Sequence, residues 1–392
     1  MATYHEAMTE QLRRVNALGR WQKAVAVILL FLLPFFLGEL LTALGSVLPL
    51  DFFHSGDRYM FRVLDQAGIY VLLALGLNIV VGYAGLLDLG YVAFYAVGAY
   101  TYALLASPQL GLHLPFWLIL PIAPLIAATF GVLLGAPTLR LRGDYLAIVT
   151  LGFGEMIRIL LNNLDVLTNG PRGINNIDSP KFISFDPTTL LPVTTLTDPK
   201  QFYYVILVLV LGAIFFISRI QNSRIGRAWA AIREDEDVAR AMGINTTTLK
   251  LLAFAMGAST AGFGGVIFSG LQGFVSPESF ILLESILILS MVVLGGMGSI
   301  PGVVLGAIIL TVLPEVLREF AVYRMAVFGL GLTIMMLVRP EGIWPSKVRK
   351  RELHSADTES GPGELLAGET EARIQLQGTA TPLVESQQGQ GG

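Results

Sequence analysis

Cysteine is absent from the sequence, histidine occurs only four times, and charged residues are few. Without cysteine, the chain can form neither disulfide bonds nor thiolate metal sites. Charged residues make up 14% of the 392 residues, well below the roughly 25% that is usual in soluble domains. The sequence also lacks the G-x-x-x-x-G-K-[ST] phosphate loop, so hydrolysis of ATP by that route is excluded.

Long apolar runs are abundant. Hydrophobic residues make up 54% of the chain, and its mean hydropathy is +0.66. Many runs are close to or longer than the roughly 18 residues that indicate a membrane-spanning helix. Backbone groups in lipid must be hydrogen-bonded within the segment, and long runs favour a helical bundle over a barrel of ten-residue strands. The sequence therefore predicts an all-α polytopic membrane protein.

The apolar runs predict about ten transmembrane helices, although counts from eight to eleven also fit. The predicted spans are 24–44, 63–82, 88–106, 114–136, 145–163, 201–219, 250–272, 280–297, 301–317 and 321–338. The span at 88–106 contains Asp88, Gly90 and Gly98, so it is either a continuous helix or a broken, re-entrant one. All four histidines lie at or beyond the span ends, and an intramembrane enzyme is therefore not expected.

The distribution of lysine and arginine sets the expected orientation. With the N-terminus in the cytoplasm, 18 of the 26 basic residues fall on the cytoplasmic side. Ten spans then return the C-terminus to that side as well. The expected parts are a cytoplasmic N-terminal segment (1–23), a transmembrane domain (24–345) and a mostly disordered cytoplasmic tail (346–392). Within the transmembrane domain, residues 164–200 form an external loop and residues 220–249 a cytoplasmic loop.

A charged segment, Arg227 to Asn245, interrupts the apolar sequence and has six charges between Arg233 and Arg240. At helical spacing its apolar residues share one side of a single short helix, and Gly243 ends that helix. The apolar members of that side are Ala228, Ile232, Ala239 and Met242. The segment is either a solvated loop or a helix that lies in a groove of a soluble partner and carries its movement into the membrane.

Five sequence motifs are distinctive: GRAWAAIREDE (226–236), RLRGDYLAIVTLGFGE (140–155), GFVSPESF (273–280), VVLGGMGS (292–299) and RPEG (339–342). They resemble motifs of LivM-type permeases, which belong to the ABC importers of branched-chain amino acids. They occur in family order over residues 60–345. Many family members carry serine and histidine where this chain has Asp88 and Tyr91, which puts a substrate role for these two positions in doubt.

The resemblance implies a permease subunit in a bacterial inner membrane that moves branched-chain or other hydrophobic L-amino acids into the cytoplasm. The implied partners are a LivH-type second permease, two ABC ATPase subunits and a periplasmic amino-acid-binding protein. ATP and Mg²⁺ would bind to the ATPases, so this chain needs no cofactor or metal and is not itself an enzyme. Nucleic acid is not an expected partner.

Two alternatives stay open. The first is the permease of a related importer for urea or short amides. The second is an ion-coupled secondary transporter, which would require inverted repeats, and none is evident in the sequence.

The candidate functional residues form two groups. The coupling residues implied by the resemblance are Arg227, Arg233, Glu234, Asp235, Glu236 and Gly243. Polar residues within spans are costly and are therefore candidates for a translocation path: Asn78, Asp88, Tyr91, Thr150, Glu155, Arg158 and Glu284. These residues either hold helices together or offer partners to the ammonium and carboxylate groups of a zwitterion.

Overall fold

The computed structural model describes residues 57–138, 144–185, 192–195 and 199–316, with short pieces at 329–330, 333, 337 and 342–344. These residues belong to one compact unit, Met1–Trp344. The predicted span 24–44, most of the span 321–338, and the terminal segments 1–23 and 346–392 lie outside the described residues. The number of spans and the location of the termini therefore stay predictions.

Helices account for most of the described residues. The α-helices are α1 (Asp57–Leu77), α2 (Val92–Leu105), α3 (Phe116–Thr138), α4 (Asp144–Asn163), α5 (Asp165–Thr168), α6 (Pro199–Gln221), α7 (Arg224–Glu234), α8 (Glu236–Ala241), α9 (Thr246–Gln272), α10 (Leu282–Gly295) and α11 (Ile300–Val316). A π-helical turn (Asn78–Tyr83) follows α1, and short 3-10 turns occupy Gly170–Arg172 and Pro277–Ser279.

Six helical stretches among the described residues are long and apolar enough to cross a membrane. They are Arg58–Tyr83, Phe116–Thr138, Tyr145–Asn163, Pro199–Gln221, Thr246–Gln272 and Pro277–Gly295, and α2 and α11 are shorter apolar helices. The ends of these helices follow the apolar runs because a polar backbone group is tolerated in lipid only inside a hydrogen-bonded element. The chain is therefore a multi-pass helical membrane protein.

A short β-hairpin adds to the expected all-α architecture. Strand β1 (Lys181–Phe185) pairs antiparallel with β2 (Pro192–Thr195), and Lys181 lies opposite Thr195. Both strands belong to the predicted external loop and contain the aromatic and β-branched residues that favour strands. The helical period of the neighbouring spans gives no indication of this hairpin.

The loop between α5 and α6 folds back onto one end of the bundle. The backbone N–H of Asp178 donates to the carbonyl oxygen of Ala106 at 2.7 Å, and the Tyr102 hydroxyl donates to the carbonyl oxygen of Asp178 at 2.8 Å. Ile174 and Val275 form an isolated antiparallel bridge. These contacts join the loop to the ends of α2 and α9 at the end of the bundle opposite α7.

Helix α9 lies at the centre of the bundle and packs against α1, α2 and α3. Asn245 caps its first turn, and Gly273 ends it in a left-handed conformation with φ +66°. Small residues let the neighbouring backbones approach closely. A Cβ atom at Gly98 would lie 2.6 Å from the Cα atom of Gly262, and one at Gly265 would lie 2.5 Å from the carbonyl oxygen of Tyr95. The glycines therefore set the α2–α9 distance.

We predict that Gly265→Ala lowers the free energy of unfolding by about 1–3 kcal/mol, because the added methyl group forces the α2 and α9 backbones apart. Gly212→Ala in α6 is the matched control, since nothing lies within 4 Å of a Cβ atom at Gly212. Thermal unfolding of the two variants in detergent measures the difference. Equal midpoints would show that the close approach of α2 and α9 does not limit stability.

Candidate functional site

The connection between α1 and α2 is a break inside the membrane bundle, residues 78–91. It starts with the π-helical turn Asn78–Tyr83 and continues as a non-helical segment up to Tyr91. Gly85 has φ +70° in this segment, a conformation that favours glycine. Within the predicted span 88–106, residues 92–105 form one continuous helix, and only Asp88 to Tyr91 at its start are non-helical. Departures from α-helix of this kind occur frequently at functional sites.

Hydrogen bonds to other elements of the bundle hold the break and the start of α2. Asn78 Oδ1 accepts from the N–H of Gly298 at 2.8 Å, and Thr150 Oγ1 accepts from the N–H of Leu89 at 3.0 Å. Ser285 Oγ accepts from the N–H of Val92, the first residue of α2, at 3.0 Å. An unpaired backbone group is costly in an apolar environment, so these bonds stabilise a conformation that helical bonding does not support.

Two further polar side chains belong to the break itself. Asp88 is fully buried, and its Oδ1 accepts from the N–H of Gly90 at 2.9 Å. The buried Tyr91 hydroxyl donates to the carbonyl oxygen of Gly257 in α9 at 3.0 Å. Both residues were candidates for a translocation path. In this conformation both contribute to the structure of the break.

A cavity of about 130 Å³ lies beside the break, between α2, α4 and the start of α10. Its lining is mostly apolar and includes one carboxylate, that of Glu155. The lining residues are Leu89, Val92, Leu151, Gly154, Glu155, Phe280 and Leu282. Glu284 lies two residues beyond Leu282 and accepts a hydrogen bond from the Tyr70 hydroxyl at 2.8 Å.

Three charged side chains form a cluster at the edge of this cavity. Arg158 contacts Oε1 of Glu155 through Nη2 at 2.5 Å and through Nε at 3.0 Å. Its Nη1 donates to Oε1 of Glu278 at 3.1 Å. The exposed fractions of the side chains are 23% for Arg158, 41% for Glu155 and 64% for Glu278. The cluster is therefore accessible from outside the bundle.

The charged segment forms two helices, α7 and α8, so the expected single helix is wrong. Asp235 has an extended conformation between them, and its Oδ1 accepts from the N–H groups of Asp237 at 2.8 Å and Val238 at 3.0 Å. An aspartate at this position caps the new helix at its positive end. Met242 is the C-cap of α8, and Gly243 directly after it has φ +83° and ends the helix, as expected.

The inner side of α7 and α8 is fixed to α9. Trp229 is buried, and its Nε1 donates to the carbonyl oxygen of Leu249 at 2.8 Å. Lys250 is also buried, and its Nζ lies 2.5 Å from Oε2 of Glu236. The expected apolar side is only partly correct, because Ile232 and Ala239 are buried whereas Met242 is 79% exposed.

Arg233 connects α7 to the break. Its Nη1 donates to the carbonyl oxygen of Gly82 at 2.9 Å, in the π-helical turn. A Cβ atom at Gly85 would lie 2.8 Å from Cγ of Arg233, so the arginine side chain passes directly over the break. Carbonyl groups at a helix end lack partners within the helix and attract positive charge. The guanidinium group therefore gives a partner to a carbonyl group near the end of the π-helical turn that follows α1.

The predicted residues fall into three places. Asn78, Asp88, Tyr91 and Thr150 come together at the break, Glu155 and Arg158 lie at the cavity, and Glu284 lies next to Ser285. Of the coupling residues, Arg233 reaches the break, Asp235 and Gly243 shape α8, and Glu236 anchors it. Arg227 and Glu234 are exposed on α7.

Four residues at these places were not among the predicted site residues: Ser285, Glu278, Trp229 and Lys250. Ser285 and Lys250 are polar residues within or next to apolar runs, so the rule that identified Glu284 could also have identified them. Trp229 was missed because only the smaller apolar residues of the charged segment were assigned to its buried side. No sequence signal pairs Glu278 with Arg158, since they are 120 positions apart.

The fold and the site together define a multi-pass helical membrane protein with a polar, interrupted helix inside its bundle. Residues 59–338 match the family described as branched-chain amino acid transport system / permease component. Because this match covers more than half of the sequence, the chain belongs to that family.

Similar proteins include LivM permeases of high-affinity branched-chain amino acid transport systems. The LivM protein of Salmonella typhimurium is 48% identical over 291 residues, and that of Escherichia coli K12 is 50% identical over 291 residues. Each alignment covers 71% of this chain and 68% of the relative. The LivH permease of Salmonella typhimurium is 26% identical over 296 residues, covering 73% of this chain and 94% of LivH. No solved structure matches the chain.

We predict that Glu236→Gln destabilises the α7–α8 segment by about 3–5 kcal/mol, because it leaves the Lys250 ammonium buried without its carboxylate. The side chains of Lys250 and Glu236 are only 6% and 16% exposed, so solvent compensates poorly for the loss. Hydrogen exchange of residues 224–241 measures the effect. Asp237→Asn, at a side chain that is 63% exposed, should change stability by about 0–1 kcal/mol.

A double variant separates the buried pair from a general effect of the substitution. Glu236→Gln combined with Lys250→Met removes both charges and should recover most of the lost protection. If the double variant loses as much protection as Glu236→Gln alone, the buried charge of Lys250 is not the cause of the destabilisation.

Proposed function

We propose that the chain is the permease subunit of an ABC importer that moves branched-chain L-amino acids into the cytoplasm. The chain's own family and the names of its relatives support this function. The contact of Arg233 with the carbonyl oxygen of Gly82 is the structural observation that carries it. This bond connects a charged surface segment to an interrupted helix within the bundle, which is the connection that a pump driven from outside the membrane needs.

The segment α7–α8 is the proposed contact surface for the ATPase subunits. Its inner side is anchored through Trp229 and Lys250, so a force on the segment is transmitted and does not simply unfold a loop. Its outer side presents Val238 at 59% and Met242 at 79% exposure beside charged residues. Exposed apolar residues with a charged surround are typical of a protein interface.

The proposed assembly contains a LivH-type second permease, two ATPases that bind ATP and Mg²⁺, and a periplasmic amino-acid-binding protein. Helices α4 and α6 are buried within this chain over only 22% and 28% of their apolar lengths, which leaves surface for lipid and for a second permease. In this proposal the chain has about ten spans, lies in the bacterial inner membrane with both termini in the cytoplasm, and does not hydrolyse ATP.

Within this mechanism, ATP binding and hydrolysis move the ATPases, and α7 and α8 move with them. Arg233 passes the movement to the π-helical turn that follows α1, and Asn78 in that turn passes it on to Gly298 between α10 and α11. A change in either bond alters the conformation of the break. The polar residues of the break then line a path that opens and closes.

Transport by the reconstituted complex tests the proposed function. We expect uptake of L-leucine into proteoliposomes to require ATP, the second permease and the binding protein, and to be insensitive to a protonophore. Uptake that survives ATP depletion but collapses with the proton gradient would instead identify an ion-coupled transporter. Uptake of urea without uptake of leucine would assign the chain to the related importers of small amides.

We predict that Arg233→Ala lowers leucine uptake by about tenfold, the factor that corresponds to one hydrogen bond to a charged group. ATP hydrolysis should stay close to the wild-type rate, because the exposed surface of α7 and α8 is unchanged. The measurement is the number of leucine molecules transported per ATP hydrolysed. Arg224→Ala removes an exposed arginine from the same helix and is the matched control. A normal transport ratio in Arg233→Ala would refute the proposed coupling route.

A further inference from the structure

We propose that the cavity beside the break, together with the cluster of Arg158, Glu155 and Glu278, is a binding site for an aliphatic amino acid. The apolar walls would take the aliphatic side chain, and the charged cluster would take the ammonium and carboxylate groups. This inference rests on the proposed transport function and deepens it, because it names the residues of this chain that contact the substrate.

The apolar part of the cavity has the size of an aliphatic side chain. Its volume is about 130 Å³, and apart from Glu155 its lining side chains are apolar, chiefly those of Leu89, Val92, Leu151 and Phe280. Engineered apolar cavities of about 150 Å³ stay dry and bind benzene. A four-carbon side chain is smaller than benzene and fits the space. Burying it releases the water that would otherwise contact leucine and phenylalanine side chains.

The charged part of the site offers partners of both signs. Arg158 directs both of its contacts with Glu155 to Oε1, and among the described residues Oε2 of Glu155 has no hydrogen-bond partner. Oε2 can therefore accept a hydrogen bond from an ammonium group. A guanidinium group has five N–H donors, of which Arg158 uses three in these contacts. The remaining donors can bind a carboxylate.

The net charge of the cluster sets its preference among small molecules. Two carboxylates and one guanidinium leave a net charge of −1, which favours a ligand with an ammonium group. The adjacent carboxylate of the ligand is accommodated only because Arg158 lies between the two acids. Urea and short amides have neither charge and no aliphatic side chain, so they satisfy neither part of the site.

The position of the site suits transfer into the break. Leu89 and Val92 both line the cavity. Their backbone N–H groups also donate to Thr150 and Ser285, respectively, in the bonds that fix the break and the start of α2. A movement of the break therefore changes the wall of the cavity. Glu278 lies in the 3-10 turn before α10, close in sequence to Val275, which forms the bridge with Ile174. Glu278 therefore belongs to the end of the bundle opposite α7.

Thiol labelling tests the site directly, because the natural chain contains no cysteine. Leu282→Cys and Leu151→Cys each place one thiol in the cavity lining. In the complete complex in lipid nanodiscs, without ATP, we expect L-leucine to slow labelling of both thiols by a hydrophilic maleimide. Urea at the same concentration should have no effect. The exposed control Val166→Cys, 94% exposed in α5, should be labelled at a rate that leucine does not change.

A second substitution tests the charged cluster. Glu155→Gln in the Leu282→Cys background keeps the shape of the side chain and removes its charge. It should raise the leucine concentration for half-protection by about tenfold, the effect of one hydrogen bond between charged groups. Asp165→Asn, an exposed acid that does not line the cavity, should leave that concentration unchanged.

Three results would overturn the proposal: labelling of both cavity thiols at rates that leucine does not change, equal protection by urea, or equal protection of Val166→Cys. Because labelling is measured without ATP, the result is independent of coupling. Protection without ATP-driven uptake would leave the site in place and refute the proposed pump. ATP-driven uptake without protection would refute the site alone.

Discussion

The requirement that every backbone polar group in a membrane be hydrogen-bonded governs this structure. Between Asn78 and Tyr91 the chain leaves the α-helical pattern, and most of these residues are buried in the bundle, where a lost backbone bond is costly. Side chains of Thr150 in α4 and Arg233 in α7 bond the backbone of the break, Ser285 in α10 bonds the N–H of Val92 where α2 begins, and the Asn78 side chain of the break accepts from the N–H of Gly298. The break is therefore stable only while these elements keep their positions, and it is sensitive to movement of any one of them.

This dependence explains why a charged surface segment can influence the interior of the bundle. Arg233 is the member of the set that belongs to a surface helix, and the other ends of α7 and α8 are fixed to α9 by Trp229 and Lys250. A hydrogen bond to a charged group contributes about 1.5–3 kcal/mol, which is comparable to the coupling energies found between linked sites. One such bond is therefore sufficient to bias two conformations of the break.

Much of the helical fold could be predicted from the sequence, because the backbone of an apolar run in a membrane must be hydrogen-bonded within a helix, so that helices end where the apolar runs end. The predicted span 250–272 and the observed Thr246–Gln272 illustrate this, with Asn245 and Gly273 marking the ends. The division of the charged segment at Asp235 could not be predicted, since the spacing of Ile232 and Ala239 also fits one helix. Contacts such as Arg158 with Glu278 and Arg233 with Gly82 join residues more than a hundred positions apart, and they follow from packing that one sequence does not encode locally.

The central claim is that movement of α7 reaches the break through Arg233. The most direct measurement is the distance between spin labels at Leu87→Cys, in the break, and Gly212→Cys, where a side chain meets nothing within 4 Å. It is recorded in the complete complex with and without ATP. We predict that ATP shifts the distance distribution in the otherwise wild-type chain and that Arg233→Ala abolishes the shift while ATP is still hydrolysed. A shift of the same size in Arg233→Ala would contradict the claim.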